Sequence, residues 1–115
     1  MKDLVTAPEV QAIWIVAPNF TRLDIMREIA KYGKGKLIAV ACEKPLGRNV
    51  REALEMLELV KSMDVPHGYL ENQVFMPSVT RGKEILWARG AGTTGRPYLA
   101  RCAEEHSGPH EPWFW

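Results

Sequence analysis

Apolar and polar residues alternate in blocks along the chain, and the blocks follow two different periods. The runs Ala12–Ala17 and Leu37–Cys42 are continuously apolar and lead into turn residues, a pattern typical of buried strands. The second run predicts a parallel strand that is covered on both faces. Asn49 and Glu52 form the start signal of a helix whose apolar residues then recur at helical spacing.

Strand-like and helix-like blocks continue to alternate over the rest of the chain. Alternation at this spacing predicts right-handed βαβ units on a parallel sheet. Two further helices are predicted: one begins at a capping box of Thr21 and Asp24 and ends at Gly33 and Gly35, and the other has Pro77 in its first turn. Two further strands are predicted over Gly68–Val74 and Tyr98–Cys102.

Length and charge restrict the classes of function. The 115 residues suit one modest domain. With 15 Lys and Arg against 14 Asp and Glu, the net charge of +1 argues against a nucleic-acid partner. The apolar runs are far shorter than the ~20 residues of a membrane span, and no leader-like segment opens the chain. We therefore expect a cytoplasmic protein without a membrane or nucleic-acid partner, and free, buried thiols at Cys42 and Cys102.

Polar residues follow three of the predicted strands, in the segments Pro18-Asn19, Glu43-Lys44-Pro45 and Glu71-Asn72-Gln73. In open parallel sheets, ligands bind beyond the carboxyl ends of the strands. A lysine there, partly desolvated beside a cofactor, can exchange protons near neutral pH. The proline after Lys44 fixes the backbone and could hold the lysine amine in place. The peptide bond between the two residues could be trans or cis. The alternative interpretation of this tripeptide is a solvated charged turn.

The segment Glu104–Glu111 concentrates two histidines and three carboxylates. Both side-chain types ligate zinc, but Gly108-Pro109 interrupts any helix that would place the imidazoles on one face. We therefore favour a polar loop and expect no metal. The chain closes on Trp113–Trp115, three aromatic residues that pack back on the domain, form an interface, or precede further protein.

Five ordered segments together resemble the glucose–fructose oxidoreductase / inositol dehydrogenase / MocA (Gfo/Idh/MocA) family of nicotinamide-dependent enzymes. The resemblance covers nearly the whole chain. The segments are Ala12–Val16 with Pro18-Asn19, Cys42-Glu43-Lys44-Pro45-Leu46, Gly68–Phe75 with Pro77, Gly95-Arg96-Pro97-Tyr98, and Glu105–His110 through Trp113-Phe114-Trp115.

The resemblance implies an α/β fold in which the chain begins at the fourth strand of a Rossmann domain. Residues 1–76 would be the C-terminal half of that NAD(P)-binding domain, a partial parallel sheet with flanking helices. Residues 77–115 would begin the substrate and oligomerisation domain, with its first strand near Tyr98–Ala103.

The resemblance also implies roles for individual residues. Lys44 would be catalytic, contacting the reacting hydroxyl or carbonyl oxygen. The residues that would bind NAD or NADP are Pro18, Asn19, Glu43, Lys44 and Asn72, and those bordering the substrate pocket are His106 and His110.

The expected function is that of a segment of an NAD(P)-dependent oxidoreductase acting on a sugar- or polyol-like hydroxyl or carbonyl. The G-x-G-x-x-G fingerprint is absent from the sequence, as are the family's downstream aspartate and histidine. We therefore expect the isolated chain to be inactive, and the missing fingerprint argues against independent binding of the dinucleotide. The alternative is a non-catalytic, self-associating binding or assembly module, since the edge of the Ala12–Ala17 strand would be bare. A metal-dependent hydrolase built on Glu105, His106 and His110 ranks third.

Overall fold

The computed structural model of the chain describes residues 1–103 and 105. The chain divides into two compact units, Met1–Phe75 and Met76–Trp115. His106 and His110, two of the predicted site residues, lie outside the described residues. The division into a cofactor domain and a substrate domain, with its boundary after residue 76, stays a prediction.

The first unit is a three-stranded parallel sheet with helices between its strands. The strand order is β1-β2-β3, and Ile15 of β1 stands opposite Cys42 of β2. The predicted α/β fold, with a parallel sheet and flanking helices, is confirmed. The elements are α1 (Lys2–Thr6), β1 (Ala12–Ile15), α2 (Asn19–Gly33), β2 (Ala39–Glu43), α3 (Val50–Ser62), β3 (His67–Leu70) and a 3₁₀ helix (Asn72–Phe75).

The core of the first unit lies between the sheet and the helices α2 and α3. Most of its buried residues come from both helices and from the sheet, where buried and less buried positions alternate, and α1 adds the fully buried Val5. They include Ile15, Val40, Cys42, Met26, Ile29, Met56 and Val60. The cysteine of β2 is therefore buried, as predicted.

The opposite face of the sheet is open within the first unit. The side chain of Trp14, between the inward-facing positions of β1, is 61% exposed. Together with Ala39 and Ala41 it lines an apolar depression of about 510 Å³. The prediction that β2 is covered on both faces is thus wrong for this unit, because α2 and α3 pack on one side only.

The two long helices, α2 and α3, differ in the contacts at their first residues. The Asn49 side chain accepts a hydrogen bond from the Glu52 backbone N–H at 3.1 Å, which confirms the predicted start of α3. By contrast, α2 begins at Asn19, and the capping box predicted at Thr21 is wrong. The hydroxyl of Thr21 lies inside the first turn and donates to the carbonyl of Pro18 at 2.8 Å.

Strand β3 ends at Leu70, four residues before the predicted end, because the chain turns into the 3₁₀ helix at Asn72. The second unit contains α4 (Pro77–Ile85), which has its proline in the first turn as predicted, a π-helical turn (Leu86–Gly90) and α5 (Ala91–Thr94). In the described part of the chain, no helix is long and apolar enough to cross a membrane.

The strand predicted over Tyr98–Cys102 is not formed. Residues 96–103 have neither helix nor strand, and Tyr98 is 97% exposed. A strand needs a neighbour for its backbone groups, and the described residues of the second unit contain no other strand. Cys102, expected to be buried in that strand, is exposed.

Candidate functional site

A cleft of about 390 Å³ lies at the carboxyl edge of the sheet in the first unit. Parallel strands all end at the same edge, so the residues that follow β2 and β3 come together there. The cleft is lined by Trp14, Glu43, Lys44, Leu70, Glu71, Asn72 and Phe75.

The structure brings three of the predicted site residues into this cleft. Glu43 is the last residue of β2, Lys44 follows it, and Asn72 begins the 3₁₀ helix after β3. Pro18 and Asn19 lie elsewhere, at the start of α2 after the neighbouring strand β1, and do not line the cleft.

Lys44 differs from its expected environment in one respect. The sequence suggested partial desolvation, whereas the residue is exposed in the structure, since the cleft is open to solvent. The peptide bond between Lys44 and Pro45 is cis, one of the two backbone geometries that the sequence left open.

Two aromatic side chains of the cleft were missed by the sequence reasoning. Trp14 lies in the middle of β1 and Phe75 at the end of the 3₁₀ helix, and both line the cleft. The alternation along β1 was the available signal for Trp14, because it places this residue on the face opposite Ile15. No comparable signal existed for Phe75, whose position depends on the early end of β3.

Polar contacts along the loop after β3 order its acidic residue. Glu71 accepts a hydrogen bond from the Gln73 backbone N–H at 3.4 Å and a long one from the Tyr69 hydroxyl at 3.5 Å. Desolvation, and then the negative charge of Glu71, raise the pKa of Tyr69 above its ordinary value. The phenol is therefore neutral and a hydrogen-bond donor at physiological pH.

One arginine connects the backbone segments that follow two neighbouring strands. The guanidinium of Arg22 donates through Nε to the carbonyl of Ala17 at 2.7 Å. Through Nη1 it donates to the carbonyl of Glu43 at 2.6 Å and to that of Pro45. The two carbonyls on either side of Lys44 thus share one donor group.

The described residues contain no group of three or more His, Cys, Asp or Glu placed to hold a metal ion. Of the cluster considered for metal binding in the sequence, only Glu105 belongs to the described residues. The chemistry available at the cleft is that of an ammonium, two carboxylates, an amide and two aromatic rings.

Residues 1–69 match the model of an oxidoreductase family with an NAD-binding Rossmann fold, Gfo/Idh/MocA. Among curated proteins, the chain is 28% identical over 109 residues to the rhizopine catabolism protein MocA of Rhizobium meliloti, covering 93% of this chain and 32% of that protein. The chain spans between 24% and 32% of the length of the curated relatives that it matches.

Solved structures show the same similarity. Myo-inositol 2-dehydrogenase from Lactobacillus plantarum is 28% identical with a TM-score of 0.65, over 79% of this chain and 26% of that one. Levoglucosan dehydrogenase, solved with NADH and levoglucosan, is 26% identical with a TM-score of 0.64, over 79% of this chain and 23% of that one.

Proposed function

This chain belongs to the Gfo/Idh/MocA oxidoreductase family with its NAD-binding Rossmann fold, and from that premise we propose that its first unit supplies the nicotinamide end of an NAD(P)-dependent dehydrogenase site. The substrate we propose is a sugar- or polyol-like hydroxyl compound or the corresponding carbonyl. The observation that carries the proposal is the cleft that unites Glu43, Lys44 and Asn72 at the carboxyl edge of the sheet.

The residues of the cleft fit a nicotinamide ring. The ring is planar and apolar on its faces, which suits the aromatic side chains of Trp14 and Phe75, and its carboxamide can pair with the Asn72 amide. The volume of about 390 Å³ lies in the range of small-molecule sites, ~300–1,000 Å³. The adenosine diphosphate portion of NAD(P) has no corresponding binding site, because the sequence lacks the glycine-rich turn that approaches a pyrophosphate.

In this proposal Lys44 handles the proton of the reaction. The bound cofactor supplies or accepts the hydride at the substrate carbon. During reduction of a carbonyl, the Lys44 ammonium donates a hydrogen bond and then its proton to the oxygen, which becomes the hydroxyl. During oxidation, the same nitrogen takes that proton back. Glu43, the half-buried residue before it, lines the same cleft.

The test is a fluorescence titration of the full chain with NADH, up to millimolar concentrations. Trp14 lines the cleft, so a bound dihydronicotinamide ring would quench its emission. The Trp14→Phe variant separates this signal from that of the other tryptophans. Lys44 is also proposed to bind the cofactor, through one charge-assisted hydrogen bond from its ammonium to the oxygen of the nicotinamide carboxamide, so we expect Lys44→Met to weaken NADH binding by about tenfold.

The matched control is Lys61→Met, which removes an exposed lysine from α3 and should leave NADH binding unchanged. Absence of saturable quenching in the wild type would refute a cofactor site in this chain. Equal NADH affinities of Lys44→Met and wild type would refute the cofactor-binding role of Lys44.

A second candidate function, a self-associating module, is supported by the edge of the sheet. Within the described residues β1 has a strand neighbour on one side only, and its four residues carry no charge. Such an edge can pair with the same strand of a second copy around a two-fold axis. The adjoining apolar depression would then be shared between copies.

Light scattering of the full chain at tens of micromolar separates the two candidates. If the chain is a self-associating module, we expect a dimer or larger species, and replacing an exposed residue of the edge strand, Ala12→Lys, should shift it toward monomer. A stable wild-type monomer would remove the module and leave the dehydrogenase proposal intact. We place the protein in the cytoplasm in either case.

A further inference from the structure

A buried arginine contacts the backbone on both sides of Lys44. Arg22, in the first turns of α2, is 5% exposed and is the one buried charged residue among those that the structure describes. Burying a cation is costly unless its donors are satisfied. Here the partners are three backbone carbonyls, those of Ala17, Glu43 and Pro45.

The partners of Arg22 are carbonyl groups, and no carboxylate of the described residues pairs with it. A guanidinium presents donors in a rigid planar fork, so it can define the relative positions of the groups that it binds. The carbonyl of Ala17 follows β1, whereas those of Glu43 and Pro45 belong to the turn after β2. Arg22 therefore joins two neighbouring strand ends at the edge where the cleft opens.

The two residues in the middle of the turn after β2 are not held by side-chain packing. Glu43 is half-buried, but Lys44 and Pro45 are both exposed, so packing does not hold them. Nη1 of Arg22 contacts the carbonyls immediately before and one residue after Lys44. Arg22 thus binds the backbone on both sides of Lys44, and thereby constrains the origin of the lysine side chain. The other support of the turn lies at its ends, where the Cys42 thiol donates to the Glu43 carbonyl at 3.4 Å and Leu46 packs against the core.

We infer that Arg22 is a positioning residue, which sets the place of Lys44 at the cleft by binding the carbonyls on both sides of it. This inference rests on the proposed function for its consequence in cofactor binding. The placement itself is a property of the folded chain and can be measured without any cofactor.

The experiment compares hydrogen exchange in the full chain, followed by mass spectrometry on peptides that cover residues 43–47 and α3. The variants are Arg22→Met, which removes all three donations, and Arg22→Lys, which keeps the charge without the planar fork. Arg27→Met is the matched control, because Arg27 lies on the same helix with an exposed side chain paired to Asp24 and Glu55.

We expect Arg22→Met to accelerate exchange in residues 43–47 by about tenfold, while α3 keeps its wild-type rates. Arg22→Lys should give a smaller, severalfold increase confined to the same segment. The control should change neither. NADH affinity, measured through the fluorescence of Trp14, should fall as the exchange rate rises. We therefore expect the wild type to bind most tightly, Arg22→Lys less tightly and Arg22→Met least.

Uniform acceleration throughout the first unit would overturn the inference, since it would mean that Arg22 contributes stability alone. Wild-type rates in residues 43–47 of Arg22→Lys would overturn it as well, and this variant decides the question if Arg22→Met does not fold. A wild type that fails to bind NADH refutes the proposed function, and the exchange rates then still decide whether Arg22 positions Lys44.

Discussion

Lys36 holds the segment before β1 through three hydrogen bonds, and its removal gives a stability prediction of definite size. Its ammonium donates to the carbonyls of Val5, Ala7 and Val10 at 2.7, 2.6 and 2.8 Å. All three donors of the ammonium are therefore used. The substitution Lys36→Met keeps most of the side-chain stem and removes all three contacts.

The expected loss of unfolding free energy follows from these contacts. A hydrogen bond to a charged group contributes roughly 1.5–3 kcal/mol net. The half-buried setting of Lys36 lets water reach the carbonyls after substitution, so the sum is reduced to about 2–4 kcal/mol. The upper end applies if α1 detaches, because Val5 on that helix is fully buried.

Urea denaturation followed by circular dichroism measures the change, with Lys34→Met as the matched control. Lys34 is an exposed lysine two residues earlier on the same turn. We expect the control to stay within about 0.5 kcal/mol of wild type, as surface substitutions do. If Lys36→Met is as stable as the control, the three hydrogen bonds do not contribute the expected free energy.

Two further predictions concern thiol reactivity and pH. Burial raises the pKa of the Cys42 thiol, whereas Cys102 is exposed. An aromatic disulfide reagent should therefore modify Cys102 rapidly and Cys42 only on unfolding, and rapid modification of both thiols would contradict this. The hydrogen bonds from Arg48 hold the pKa of Glu52 below its ordinary 4.5, so their stabilising effect is present above that pH and lost as pH falls below it. Glu52→Gln should therefore melt below wild type at neutral pH and converge with it in acid, and an unchanged gap in melting temperature would refute the role of the pair.

Much of the fold was accessible from the sequence because its signals are local. The continuous apolar runs predicted β1 and β2, and the start of α3 could be predicted because Asn49 caps a backbone group only three residues away. Glu43, Lys44 and Asn72 could be assigned to one edge because parallel strands end together.

Errors arose where a residue's role depends on what lies opposite it. Tyr98–Cys102 has the composition of a strand, yet the described part of its unit offers no strand to pair with. Thr21 has the spacing of a cap, but the helix begins earlier and its hydroxyl serves Pro18 instead. The first outcome cannot be read from a window of a few residues, and the second depended on the exact start of the helix, at Asn19.

The sequence by itself thus determined the order and type of the main elements and the polar residues at the strand ends, since periodicity and capping act over one or two turns of chain. Only the tertiary structure decided that Trp14 and Phe75 line the cleft, that one face of the sheet is open, and that Arg22 binds the backbone around Lys44. These features join residues more than twenty positions apart, and their contacts depend on how the elements pack.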